Sequence, residues 1–242
     1  NVVPNVIVTG KNPGSWANGI RVAILDCKAD QILELPSTGI ATVGLGVTQS
    51  ISSVLPGVGA GTTLDGVLKG IITQVEGAQA YVKVVSHVSA AGTETAVDYQ
   101  QNGIYQFGTS NNITVVTNAG VAAAHTSVNA TADWFDQQTL ATSTNNVGVG
   151  TSVATIQWNI LADRPGTSDY ASARGSRFDE LHVVVLDGDG KITGNAGTVL
   201  EKHLSLSKAK DAEFSVGSPA YWRKYLKTNS NFIFGGGAPT GL

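Results

Sequence analysis

Six consecutive residues, Leu181 to Leu186 (LHVVVL), constrain the fold more than any other stretch. Three adjacent valines are stiff at χ1 and sit well on a pleated surface, so the run is a strand. It is apolar everywhere except at His182. That pattern predicts burial on both faces, as in the middle of a sheet with helices on either side. Asp187-Gly188-Asp189-Gly190 then breaks the run. Glycine tolerates positive φ and aspartate caps its own turn, so the chain can double back. Lys191 to Thr193 is expected as the return strand and Gly194 to Gly197 as a second turn. Val199 to Leu206 alternates apolar and polar residues with the period of a half-buried strand.

The rest of the chain gives further strands and three helical segments. Val6–Val8 and Ile20–Leu25 read as strands, separated by a turn at Lys11-Asn12-Pro13-Gly14. Residues Ile32 to Gly61 read as an irregular segment or a hairpin. Leu64, Val67, Leu68, Ile71, Ile72 and Val75 are spaced by three and four, which predicts a short amphipathic helix capped by Thr62 or Thr63. Gly66 and Gly70 inside it cost about 1 kcal/mol each relative to alanine. Ala80–Val88, Ile104–Phe107, Ile113–Val116 and Val153–Leu161 read as strands, with Gly108–Asn112 as a hairpin-like loop and Asn145–Gly150 as a loop. Asp133–Leu140 is expected as a helical turn with Asp133 as N-cap. Ser218-Pro219 is expected to open a helix over Ala220–Leu226, and Phe232–Phe234 to form a last strand. The expected fold class is therefore mixed α/β (α+β): a mixed β-sheet with flanking helices and long Gly/Ser/Thr-rich loops.

A chain of 242 residues can bury roughly 70% of its unfolded surface. Charged residues make up only 14%, against ~25% in typical soluble domains. Two accounts fit this neutral surface: packing against other copies, or solvated Gly/Ser/Thr loops. With a net charge of −3 and no basic stripe, nucleic-acid binding is set aside. Apolar stretches are far shorter than the ~20 residues that span a bilayer, so no direct membrane insertion is expected. Cys27 is the single cysteine and reads as a small hydrophobe at the end of a buried strand. The chain has no methionine and ends on GGGAPTGL. Both features lead to the expectation that it is a piece of a longer polypeptide.

No catalytic, cofactor-binding or metal-ligating residue is predicted. Asp187-x-Asp189-Gly190 has the start of a calcium loop, but Lys191 occupies the third-ligand position and Thr198 position 12. Gly44-x-Gly46 and Gly57-x-Gly59-x-Gly61 lack the strand, helix and Lys-Ser/Thr of a phosphate loop. His87, His125, His182 and His203 are widely spread, although His182 and His203 lie on successive strands where they could be neighbours. Asp179, Glu180 and Glu201 are carboxylates that nothing in the sequence pairs across a cleft.

The run Asp179–Ala212 (DELHVVVLDGDGKITGNAGTVLEKHLSLSKAKDA) resembles the contractile tail sheath proteins of T4-like phages (myoviruses), cyanophages included. So do Asn12–Asp26 (NPGSWANGIRVAILD), Asp133–Leu140 (DWFDQQTL) and Arg164–Gly175 (RPGTSDYASARG). The specificity lies in the length and order of these pieces. The resemblance divides the chain into a sheath-like core of residues 1–30 and 132–242, with 31–131 a less recognisable stretch, inserted or surface-exposed. It implies a structural virion protein and no enzyme. Its subunits stack as hexameric rings into a helical assembly around a tail tube and are linked by exchanged terminal strands. They contract to drive the tube through the host envelope for genome ejection. The implied partners are other sheath subunits, the tail tube protein, the baseplate and the tail terminator. The implied location is the phage tail, assembled in the host bacterial cytoplasm. Two other classes remain open from the residues alone: a ligand-binding or enzymatic α/β domain with its site near Asp187–Gly190, and an exposed adhesive domain built on 31–131.

Overall fold

The computed structural model describes residues 7–12, 14–54, 63–101, 103–116, 124–142 and 155–236. The expected loop at Asn145–Gly150 and the Gly57-x-Gly59-x-Gly61 run lie outside them. The chain divides into two compact units, residues 1–27 with 138–242, and residues 28–137.

In chain order, β1 (Val8–Gly10) and β2 (Ile20–Asp26) belong to the first unit. The second unit holds β3 (Gln31–Glu34), β4 (Gly46–Val54), β5 (Thr63–Glu76), β6 (Gln79–Ser89), β7 (Glu94–Ala96), β8 (Ile113–Val116), β9 (Ala124–Thr126) and β10 (Ala130–Asp133). The chain returns to the first unit with β11 (Thr139–Ala141), β12 (Thr155–Gln157), α1 (Asp169–Ser172), β13 (Glu180–Asp187) and β14 (Thr198–Ser207). It ends with β15 (Glu213–Ser215), β16 (Ser218–Pro219), α2 (Trp222–Asn229) and β17 (Ile233–Gly235).

The expected mixed α/β class is not what forms. The described residues are mostly β, with 46% of them in strands and 12% helical. The named strands pair antiparallel throughout. Two expected helices account for much of the difference. Leu64–Val75 is strand β5, and Asp133–Leu140 contains only the 3-10 turn Phe135–Gln137. Asp133 does cap that turn, its Oδ1 accepting from the Phe135 amide at 2.8 Å. The helix expected at Ala220–Leu226 starts later, at Trp222, because Ser218 and Pro219 pair as β16 with β15.

In the first unit, β13 is the central strand of an antiparallel sheet ordered β14-β13-β2. Leu181, Val183 and Val185 pack with Leu206, Trp222, Leu226 and Ile233 on one face. His182, Val184 and Leu186 are buried on the other, where Trp158 lies over His182 with ring centroids 6.3 Å apart. Both faces are thus covered, but only one of them by a helix, α2. The predicted return strand at Lys191–Thr193 is instead part of one ten-residue connection, 188–197, between β13 and β14.

The second unit is an eight-stranded sheet in the order β10-β3-β6-β5-β4-β8-β9, with β7 added on β6. It curls into a half-barrel. Leu33, Leu68, Ile72, Val82, Val84 and Phe107 fill its interior and are almost wholly buried. In β5, Leu68, Gly70 and Ile72 point inward with period two, and irregularities at 69/70 and 72/74 bend the strand. The spacing of three and four that reads as a helix arises because apolar residues lie on both faces, with Leu68 and Ile72 inward and Ile71 40% exposed, and because the bulge after Ile72 brings Val75 against the core. Gly70 is where the ring of Phe107 and the backbone of β6 come closest; a Cβ there would lie 2.8 Å from the Lys83 carbonyl oxygen.

Residues Ile104–Phe107, expected as a strand, are a loop latched to the sheet by two glutamines. Gln31 receives the Phe107 amide at 2.7 Å and donates to the Phe107 carbonyl at 3.1 Å. Gln49 receives the Gly108 amide at 2.8 Å and donates to the carbonyls of Gly108 and Asn111. These bonds satisfy backbone groups that a buried loop would otherwise orphan.

Candidate functional site

The polar side chains that sequence reasoning considered for chemistry are mostly occupied in holding the first unit together. Asp187 ends β13 and is fully buried. Its Oδ2 accepts from the Ile192 amide at 3.0 Å, the Thr193 amide at 2.7 Å and the Thr193 hydroxyl at 2.8 Å. Burial alone would raise its pKa. The donors from Thr193, Ile192 and Gly190 outweigh that and hold the carboxyl below the usual range. Asp189 pairs with Lys191 at 2.7 Å, which lowers the carboxyl and raises the amine. Gly19 makes room for that carboxylate, since a Cβ there would lie 2.2 Å from Asp189 Oδ1. Asp187 is therefore engaged within its own loop through Oδ2 alone, its buried Oδ1 having no hydrogen-bond partner, and Asp189 is held by Lys191. Among the described residues, no group of three or more His, Cys, Asp or Glu side chains is placed to hold a metal ion.

His182 and His203 do not meet. His182 lies opposite a bulge in β14, where Ser205 takes a φ of +51°. The Ser205 amide donates to His182 Nδ1 at 2.9 Å, and Nε2 lies 2.8 Å from the Asp163 carbonyl. These partners require a proton on Nε2 and none on Nδ1. His203 pairs with Val183 across the sheet and points to the opposite face, against Tyr225.

His203, Glu201 and Ser230 are the residue types of a hydrolase triad, but the connectivity is wrong for one. A nucleophilic serine must hand its proton to the histidine. Here the Ser230 hydroxyl donates to Glu201 Oε2 at 2.6 Å, and His203 Nε2 contacts the same oxygen at 3.0 Å. Glu201 Oε1 also accepts from the Asn231 amide at 2.7 Å. Desolvation would raise the Glu201 pKa, yet Ser230, Asn231 and His203 together lower it. The cluster fastens the end of α2 and the entry to β17 onto β14.

Asp179 does the same for the segment before β13. It accepts from the Ser168 amide at 2.8 Å, the Ser168 hydroxyl at 2.7 Å and the Ser207 hydroxyl. Ser168 in turn caps α1. Glu180 receives the Gly166 amide at 2.8 Å. In the second unit, His87 is buried against Tyr105 with Nε2 lacking a hydrogen-bond partner, and His125 contacts Thr114 at 2.9 Å.

The feature left open is an edge. Among the described residues, β2 pairs only with β13, and β1 only with β17. Between these strands runs an open apolar groove of about 590 Å³, lined by Val8, Ile20, Val22, Ile24 and Ile233 among others. The sequence marked β2 as a strand, but nothing in one strand's composition says whether both of its edges are paired. No helix among the described residues is long and apolar enough to cross a membrane. No protein-family model, curated protein or solved structure matches this chain.

Proposed function

We propose that this chain is the core of a contractile tail sheath subunit, a structural protein of a phage virion that polymerises with copies of itself around a tail tube. The open edge of β2 beside its apolar groove is the observation that supports this reading. An edge strand offers a row of unpaired main-chain donors and acceptors, and alternate side-chain positions beside it give a register. A strand supplied by a neighbouring copy fits both, and it would bury the half-exposed Ile20, Val22 and Ile24. The sequence pieces that resemble sheath proteins include β2 itself and the β13–β14 pair beside it. The low charge of 14% leaves little repulsion to oppose packing between copies.

Negative-stain electron microscopy of the concentrated full-length protein tests this. Hollow polymers are expected, and Val22→Lys is expected to abolish them while circular dichroism remains that of the parent. Monodisperse particles at every concentration would sink the reading, and so would polymers that Val22→Lys leaves intact.

A further inference from the structure

We propose that a second chamber, at the start of α2, is a binding site for a carboxylate carried on an apolar stem. The chamber holds about 330 Å³ and is lined by Ile24, Leu181, Lys208, Lys210, Tyr221, Trp222 and Arg223. Three of these seven residues are cationic and none is acidic. Lys208 is already paired with Asp26 at 2.5 Å. Lys210 is exposed, and Arg223 Nε is buried with no hydrogen-bond partner. The Arg223 guanidinium lies 5.1 Å from the centre of the Trp222 ring, within cation–π range. A buried cationic donor beside a second, unneutralised cation selects an anionic oxygen, and arginine's fork suits a carboxylate.

The opposite wall decides the rest of the ligand. Ile24, Leu181 and Trp222 present apolar surface that a bare phosphate would leave wet. Tyr221 and Trp222 are the N-cap and first residue of α2, and no side chain caps that end, so the helix dipole adds to the attraction. Ile24 lines both this chamber and the groove along β2. On the sheath reading above, on which this last step rests, the natural bearer is an acidic side chain of the strand that a second copy lays along β2.

The test is an NMR titration of the Arg223 Nε–H resonance with sodium hexanoate, run beside inorganic phosphate and sodium chloride at matched ionic strength. A saturable shift with hexanoate is expected, with phosphate weaker and chloride inert. Lys210→Gln, at an exposed position, is expected to weaken hexanoate binding about fivefold without disturbing the fold. Saturation by phosphate and not by hexanoate would overturn the carboxylate assignment. Equal linear responses to all three salts would overturn the site. Polymer formation by the Lys210→Gln variant separates the two sources: weakened assembly supports a carboxylate from a second copy. Unchanged assembly with impaired hexanoate binding refutes that bearer and assigns a free small acid. Because the titration reads the monomer, its outcome stands whether or not polymers form.

Discussion

Gly70→Ala distinguishes the strand from the helix that the spacing of residues 64–75 predicts, because the two give opposite signs. In a helix, the change would add about 1 kcal/mol of stability. In β5, the new Cβ would lie 2.7 Å from Val82 Cγ1, 2.8 Å from the Lys83 carbonyl oxygen and 3.0 Å from Phe107 Cε2. The carbonyl belongs to a paired strand and has little freedom to retreat. Overpacking of this kind costs about 1–3 kcal/mol. The smaller entropy of the unfolded chain returns about 0.4–1 kcal/mol. The expected net effect is a loss of roughly 1–2 kcal/mol in the second unit. Gly108→Ala serves as the control, since nothing lies within 4 Å of its added Cβ; it is expected to be neutral or slightly stabilising. Two units can unfold separately, so a single global transition is a poor readout. Native-state hydrogen exchange at the amides of Leu68 and Ile72 reports the local value directly. Protection that rises in Gly70→Ala would refute both the strand placement and the packing of Phe107 against it.

Three further outcomes follow from particular side chains. Asp187 and Glu201 both have lowered folded-state pKa values, so their contribution is present above the unfolded carboxyl values near 4 and is lost as pH falls through the folded ones. Stability of the first unit is therefore expected to fall from roughly pH 5 downward, and Asp187→Asn is expected to flatten that slope in urea titrations. A steeper acid slope in the variant would contradict the hydrogen bonding of its carboxylate. Gln31→Leu leaves the buried Phe107 amide and carbonyl without partners, at about 1–3 kcal/mol each, and limited proteolysis is expected to cut residues 103–112 much faster. His182→Phe orphans the Ser205 amide and is expected to cost about 1–3 kcal/mol by denaturant titration, whereas Cys27→Ala, a smaller change at a buried strand end, is expected to cost less.

The sequence made β13 legible because its signal is local. An unbroken β-branched run has few other homes, and it folds as a strand covered on both faces. The alternation of Val199–Leu206 likewise appears as β14. Leu64–Val75 imitates a helix for a physical reason: apolar residues on both faces of the strand, Ile71 outward beside Leu68 and Ile72 inward, combine with one change of phase at the bulge to give a spacing of three and four. Gly66 and Gly70 held the correcting signal. Counted as helix penalties, they are places where β6 approaches β5 too closely for a side chain. Ser218-Pro219 carried valid helix-start chemistry, but pairing with Glu213 and Ser215 claimed those residues first. Asp189 lies in the turn that the motif predicts, whereas Asp187 is the last residue of β13; the turn's form depends on Thr193 and Gly19, which the motif does not contain. The glutamine latches at Gln31 and Gln49 were missed because each joins residues more than fifty positions apart. The Arg223 chamber was missed for the same reason: it joins four chain segments, and no spacing rule links Ile24, Leu181, Lys210 and Arg223.

The open edge of β2 has a cost that bears on assembly. Natural sheets protect such edges with proline, a bulge, inward charges or a covering element. β2 reads IRVAILD, has no proline, and keeps an unbroken register with β13 from Ile20 to Asp26. Its charges, Arg21 and Asp26, stand second and last in the strand, leaving four uncharged residues between them. Seven residues give an edge about 23 Å long at ~3.3 Å per residue. An edge of that length, open among the described residues, invites pairing, and in a monomer it would favour uncontrolled association. Two features would make the proposed pairing selective. The groove beside Val22 and Ile24 accepts apolar side chains only at alternate positions of an incoming strand, which fixes its face. The cationic chamber at Ile24 then favours one register along the edge, the one that sets a carboxylate against Lys210 and Arg223. In the proposed assembly, main-chain bonding would supply the affinity, the groove would select the face, and the chamber would select the register.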